Sequence, residues 1–200
     1  MRHLPALSGR QITLIRGISL FIDPHAQREM MLDLTAVLAL RGRVRVIDGG
    51  NRFDPYHVAR AIRRRTHRLD EIFDRVTIAR AFTCYQVVTL LEHTPATNRP
   101  HLVCDLTATF YDEAVSYNES YRLLRIAAGE LRRLSRRAPV VVTSSPAPRG
   151  ERSGLLRLLE DTADHVLLPN VPQEETSTQL EMPSFQKMAS LWDLTTDKAT

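Results

Sequence analysis

Short runs rich in β-branched residues alternate with longer helical patterns along most of the chain. One of the runs, residues 140–144, is apolar enough to be a central strand of a sheet. This alternation is typical of βαβ units, in which crossover helices join parallel strands. We therefore predict an α/β fold, specifically a three-layer α/β/α sandwich with a mainly parallel sheet.

The same pattern predicts the individual elements. Strands are predicted at residues 11–17, 43–48, 76–82, 101–106, 140–144 and 165–168, and residues 18–22 either continue the first strand or form a loop. Helices are predicted at residues 25–40, 55–66 or on to 73, 85–93, 119–137 and 154–161. Asp23 and Asp54, each followed by proline, are predicted N-caps of the first two helices.

Composition indicates the number of domains, the absence of a membrane span and the state of the cysteines. The chain has 200 residues, of which 43% are hydrophobic and 25% charged, and this suits one globular domain. Because no apolar stretch reaches a membrane span of about 20 residues and no signal-peptide core follows Met1, we expect a cytoplasmic protein. Cys84 and Cys104 lie within apolar runs and are interpreted as buried thiols.

Charge is distributed unevenly along the chain. Residues 1–171 contain 25 Arg, no Lys and 18 acidic residues, which leaves +7, whereas residues 172–200 contain 2 Lys and 5 acidic residues, which leaves −3. A basic body rich in arginine favours bidentate contacts to phosphate or carboxylate, although it can equally reflect base composition of the genome. We treat residues 172–200 as an acidic, largely irregular tail.

Several strings resemble the ATPase core of the RecA/Rad51 recombinases, a branch of the P-loop NTPases. Residues 45–53 (RVIDGGNRF) resemble the second-strand motif, in which a catalytic glutamate follows an aspartate. Residues 78–82 (IARAF), with Gln86 and Leu90, resemble the third strand and its helix. Residues 101–105 (HLVCD) resemble the Walker B strand, and residues 140–145 resemble the nucleotide-sensing strand. The resemblance covers about residues 5–170 and implies a RecA-like sheet over residues 1–171.

The chain departs from this family where nucleotide chemistry is concerned. Gly17 is the only glycine between Arg10 and Arg41, and no lysine precedes Lys187, so Walker A (G-x-x-x-x-G-K-[ST]) is lacking. Gly50 stands at the position of the catalytic glutamate. The resemblance therefore implies a degenerate site in which Asp105 is a vestigial Walker B residue and Asp48 ends the second strand. We expect no catalytic residue, metal or cofactor.

Two surfaces are candidates for binding other molecules. The nucleic-acid-binding candidates are arginines on the second predicted helix and in the loop after the fifth strand: Arg60, Arg63, Arg64, Arg65, Arg68, Arg149 and Arg152. The helical row can equally be a solvated face that pairs with acidic residues at 70–74. In the tail, a possible docking helix at 184–193 carries apolar residues at helical spacing, which bind a partner or fold back on the domain: Phe185, Met188, Leu191 and Trp192.

These observations lead to three functional hypotheses. The first is a non-catalytic RecA/Rad51-like protein, a pseudo-ATPase, that acts as a scaffold or accessory subunit in a DNA repair, recombination or other nucleic-acid complex. Its expected partner is an active ATPase or nuclease subunit. The second is a stand-alone module that binds DNA or RNA through its arginine-rich helices. The third is an ATPase whose atypical site is completed by a partner, and it has the least support.

Overall fold

The computed structural model describes residues 16–25, 28–147, 150 and 152–167. The strands are β1 (Ile18–Ile22), β2 (Val44–Asp48), β3 (Val76–Arg80), β4 (His101–Cys104), β5 (Val140–Ser144) and β6 (His165–Leu167). The helices are α1 (Arg28–Arg41), α2 (Pro55–Arg63), α3 (Leu69–Phe73), α4 (Cys84–Glu92), α5 (Tyr117–Ser135) and α6 (Ser153–Thr162), and a 3-10 turn spans Ala108–Tyr111. None of the helices in these ranges is long and apolar enough to cross a membrane.

The six strands form one sheet in the order β3-β2-β4-β5-β1-β6, and every pair is parallel. Alternate strand residues point to opposite faces. On one face Ile18, Leu20 and Val103 belong to a core cluster with α4, α5 and α6. On the other face Val44, Val46 and Leu102 pack with α1, α2 and α3. The predicted three-layer, parallel α/β fold is confirmed.

The first strand agrees with one of the two predicted alternatives. Residues 18–22, predicted to continue the strand or to form a loop, are strand β1, and Gly17 adopts a φ of 119° immediately before it. Residues 11–15 of the predicted strand lie outside the described residues. The following helix begins at Arg28, five residues beyond the predicted N-cap Asp23. Asp23 instead accepts a hydrogen bond from the backbone N–H of His25 at 2.8 Å, closing a tight turn after β1.

The second predicted helix is divided in two. α2 starts as expected, because Asp54 accepts hydrogen bonds from the N–H groups of Tyr56 and His57 and Pro55 occupies the first turn. It ends at Arg63, however, and α3 begins at Leu69. In the turn between them, Arg65 donates a side-chain hydrogen bond to the carbonyl of Ala61 at 2.8 Å. This bond satisfies a carbonyl that the last turn of α2 leaves free.

Candidate functional site at the carboxyl edge of the sheet

A crevice is expected at the carboxyl edge where β2 and β4 lie side by side. The chain leaves β2 toward α2, on one face of the sheet, and leaves the 3-10 turn after β4 toward α5, on the other face. Such a change of direction between neighbouring parallel strands is the place where open α/β sheets bind ligands. Asp48 ends β2, and Asp105 follows β4 directly. The side chains of these two residues therefore decide what the edge can bind.

Asp48 is fully buried and is satisfied by neighbouring groups. Its carboxylate accepts hydrogen bonds from the backbone N–H groups of Arg52 at 3.1 Å and Phe53 at 3.0 Å, and from Arg80 Nε at 2.9 Å. Arg80 also donates to the carbonyl oxygen of Phe53 at 3.0 Å. Asp48 therefore holds the loop after β2 against the end of β3.

Asp105 has a similar role between β4 and β5. It is 2% exposed and adopts a φ of 49°, in the left-handed region that aspartate tolerates better than most residues. Its carboxylate accepts hydrogen bonds from Ser145 N at 3.0 Å and from Ser145 Oγ at 3.0 Å, while its own N–H donates to Thr143 Oγ1 at 2.9 Å. Arg52 Nε lies 3.9 Å from Asp105 Oδ2. The carboxylate thus joins the ends of two strands.

Gly50 packs directly against Asp105. A Cβ atom at Gly50 would lie 2.7 Å from Asp105 Cβ and 2.9 Å from Asp105 Oδ2. These separations are shorter than van der Waals contact, so the position accepts no side chain without movement of the neighbouring strand end. A glutamate at position 50 would have no space without such movement.

A small hydroxyl network and a thiol complete this edge. Thr107 Oγ1 and Ser144 Oγ are 2.6 Å apart, and Ser144 Oγ donates to the carbonyl oxygen of Ser145 at 2.8 Å. Burial raises the pKa of the Tyr111 phenol, while hydroxyls of Thr107 and Ser144 oppose that shift. Burial, and then the nearby aspartates, raise the pKa of Cys104, so the thiol stays protonated and is a poor nucleophile.

The space beside these groups is limited. A cavity of about 20 Å³ lies among α1, the loop after β2 and the end of β4, and its lining includes Arg52, Phe53, Cys104 and Asp105. It has room for about one water molecule. An open cleft of about 570 Å³ lies outside it, and its lining carries both signs of charge: Asp23, His25, Arg28, Glu29, Met30 and Arg52. The two carboxylates weaken its attraction for a polyanion.

The structure separates the predicted nucleic-acid-binding arginines. Arg60 and Arg63 lie on α2, whereas Arg68 precedes α3 and therefore does not continue the predicted helical row. Arg68 forms an ion pair with Glu71. Arg64 Nη2 lies 3.9 Å from Asp33 Oδ1. Arg60 and Arg63 have no hydrogen bond or ion pair through their guanidinium groups within the described ranges.

Other predicted binding residues fall into two groups. Arg152 is partly buried and donates to the carbonyl oxygens of Phe110, at 2.8 Å, and Val115, so its guanidinium fixes the loop before α5. The remaining candidates lie outside the described residues: Arg149, Phe185, Met188, Leu191 and Trp192.

Sequence reasoning missed the partners that complete the edge. Arg80 was assigned to a strand interior, but in the parallel register it pairs opposite Asp48. Ser145 follows β5 and reaches Asp105 because β4 and β5 are neighbours. The residue types give no signal for either contact, since both depend on strand order and register. Tyr56, which is 81% exposed on α2, was also missed.

The fold and this edge together define a parallel three-layer α/β protein in which the carboxylates at the ends of β2 and β4 are hydrogen-bonded to the protein's own groups. No protein-family model matches the chain. No curated protein matches it in sequence.

Proposed function

We propose that the chain is a non-catalytic, RecA/Rad51-like domain that acts as a scaffold or accessory subunit in a DNA repair, recombination or other nucleic-acid complex. The observation that carries the proposal is the contact between Gly50 and Asp105, which fills the place of the catalytic glutamate. The strings on which the resemblance depends lie in or beside four strands of one parallel sheet, β2, β3, β4 and β5, and this arrangement supports the proposal.

Phosphoryl transfer needs more than this edge supplies. It uses backbone amides and a lysine around the phosphates, a hydroxyl and an acid for Mg²⁺, and a group that orients water. The chain has no lysine before Lys187. Asp105 is occupied by Ser145, and Asp48 is occupied by Arg80 and two backbone N–H groups. A partner that provided a lysine would still meet a filled site, which is why an ATPase completed in trans has the least support.

The scaffold proposal is tested by identifying the proteins that co-purify with the chain. We expect the protein, purified from its native host under mild conditions, to elute with a defined partner whose sequence retains an intact phosphate-binding loop or nuclease site. Cross-linking before lysis guards against association after extraction. A clean monomer in both preparations would contradict the proposal.

A second function, binding of nucleic acid by the chain itself, is supported by a separate observation. Arg60 and Arg63 are exposed on α2 and carry charge that no acidic residue in the described ranges neutralises. Phosphate contacts from such residues make affinity fall as salt increases. The test is oligonucleotide affinity measured across a salt series, and salt-independent or undetectable binding would remove this candidate.

A further inference from the structure

One face of α2 combines an aromatic side chain with two arginines. Successive residues of a helix are about 100° apart around its axis, so Tyr56, Arg60 and Arg63 fall within an arc of about 60°. The buried residues Val58, Ala61 and Ile62 lie on the opposite side of the same helix. We call the outward surface formed by Tyr56, Arg60 and Arg63 the Tyr56 face.

The arginines of the Tyr56 face form no ion pair within the part of the chain that the structure describes. Asp33, on α1, is approached by His57 Nε2 at 3.3 Å and by Arg64, which lie to one side of this face. Glu71, on α3, forms ion pairs with Arg68 and Arg75. No side chain in the described ranges pairs with Arg60 or Arg63. Asp33 and Glu71 are therefore paired with basic residues outside the Tyr56 face.

The aromatic member of the face is exposed and held on a rigid element. Tyr56 is 81% exposed. Asp54 Oδ1 accepts the N–H of Tyr56 at 2.9 Å and that of His57 at 3.3 Å, which fixes the first turn of α2. A single exposed tyrosine is ordinary on a protein surface. What distinguishes this one is its position one turn before Arg60 and two turns before Arg63, neither of which is paired among the described residues.

We propose that the Tyr56 face binds single-stranded nucleic acid, with a base stacked on Tyr56 and phosphates paired with Arg60 and Arg63. The inference rests on the second proposed function and deepens it. Stacking on an aromatic ring requires a base whose face is accessible, as in a single strand. Guanidinium groups bind phosphate oxygens in bidentate geometry. Arg60 and Arg63 lie about 6 and about 10 Å along the helix from Tyr56, so a short stretch of strand reaches all three.

The experiment measures fluorescence anisotropy of the full chain with three labelled probes of about 20 nucleotides or base pairs, longer than a usual single-strand site. The probes are single-stranded DNA, single-stranded RNA of the same sequence, and the DNA duplex. We expect at least one single strand to bind more tightly than the duplex. Tyr56→Ala should weaken that binding by at least about five-fold, and Tyr56→Phe should retain it.

The arginines are tested through salt dependence between about 50 and about 200 mM salt. Arg60→Ala combined with Arg63→Ala should reduce the magnitude of the single-strand salt slope by about 1.4, since each phosphate contact contributes about 0.7. Tyr56→Ala should leave the slope unchanged. The matched control is Arg122→Ala, because Arg122 is an exposed arginine already paired with Glu119 at 2.7 Å, and its slope should equal that of the wild type.

Different failures are distinguishable. Equal affinity for duplex and single strands, with the slope reduced in the arginine variant but no effect of Tyr56→Ala, would overturn the stacking inference and leave the second function standing. No salt-dependent binding of any probe would overturn both. Thermal unfolding of each variant, monitored by circular dichroism, should match the wild type because all three side chains are exposed. Where single-strand binding is found, the DNA-to-RNA affinity ratio identifies the preferred strand.

Discussion

Two charged regions of the molecule differ in how their charges are used. At the carboxyl edge between β2 and β4, Asp48 and Asp105 are buried and hydrogen-bonded to neighbouring elements. On the outer surface of α2, Arg60 and Arg63 are exposed and unpaired among the residues that the structure describes. A buried charge has to be satisfied where it lies, since leaving it alone costs several kcal/mol. Acidic residues at a sheet edge therefore indicate a ligand-binding or catalytic site only when their carboxylates are not already hydrogen-bonded within the protein.

The largest effect is expected from breaking the ion pair of the edge. Arg80→Met would leave Asp48 fully buried without its cationic partner, although two backbone N–H groups would remain. We expect the free energy of unfolding, measured by urea denaturation, to fall by about 3 kcal/mol. Arg122→Met breaks an exposed ion pair and is the matched control, for which no measurable loss is expected. Equal losses of unfolding free energy in both variants would show that the buried ion pair stabilises the protein no more than an exposed one.

A pH effect of similar size is expected at the opposite end of β4. His101 is buried, and burial, with the nearby Arg45 and Arg133, lowers its pKa to about 4. In the unfolded chain the His101 imidazole has a pKa near 6.5. On acidification it therefore takes up a proton in the unfolded chain before it does so in the folded protein. Stability is therefore retained above about pH 6.5 and lost as pH falls toward about 4, by up to about 3 kcal/mol. His101→Phe should remove this part of the pH dependence in denaturation series, and an unchanged profile would contradict it.

A smaller effect is expected from adding a side chain at Gly50. Gly50→Ala places a Cβ atom 2.7 Å from Asp105 Cβ and should reduce the free energy of unfolding by about 1 to 3 kcal/mol. Gly129→Ala is the control, since a Cβ atom there meets nothing within 4 Å and the residue lies inside α5. That change should stabilise the protein by up to about 1 kcal/mol. If both variants gained stability, the edge would have room for a side chain.

The smallest effect on stability, and the clearest on binding, is expected on α2. Arg60→Glu with Arg63→Glu reverses the charge of the two arginines that are unpaired among the described residues, and it should abolish nucleic-acid binding. It should lower the free energy of unfolding by about 1 kcal/mol at most, since both positions lie in the last turn of α2. Arg64→Glu with Arg68→Glu changes charge equally, but these side chains lie near Asp33 and Glu71. We expect this second pair to weaken binding less. If the Arg64 and Arg68 variant weakened binding more than the Arg60 and Arg63 variant, the binding surface would lie nearer to α3.

The fold was predictable because each strand and helix depends on apolar patterns and turn residues within a short stretch of sequence. The predicted strand at 140–144 coincides with β5, since it begins with three consecutive valines and is preceded by Pro139. The sequence left residues 18–22 open as strand or loop, because apolar residues extend on both sides of Gly17 and the run does not show where pairing begins. A second helix that continues to residue 73 was one of the two predicted alternatives, because no glycine or proline marks the break after Arg63. There the turn is closed by the Arg65 side chain and by Thr66 Oγ1, which accepts the N–H of Arg68.

The site was less predictable than the fold, for a physical reason. The sequence identifies Asp48, Gly50 and Asp105 as positions of interest, but their environment is set by strands distant in the chain. Asp48 meets Arg80 only because β2 pairs with β3 in one register, and Asp105 meets Ser145 only because β5 lies beside β4. Whether a carboxylate is free or occupied depends on these long-range contacts, which residue spacing does not contain.

The most direct test of a filled, non-catalytic edge is calorimetric titration of the intact protein with ATP and Mg²⁺ at neutral pH. We predict no heat beyond that of dilution, because Asp105 and Asp48 are already hydrogen-bonded and Gly50 leaves no space for a catalytic group. Saturable binding in the micromolar range that is lost in Asp105→Asn would contradict the account, since it would place a nucleotide and its metal at the edge.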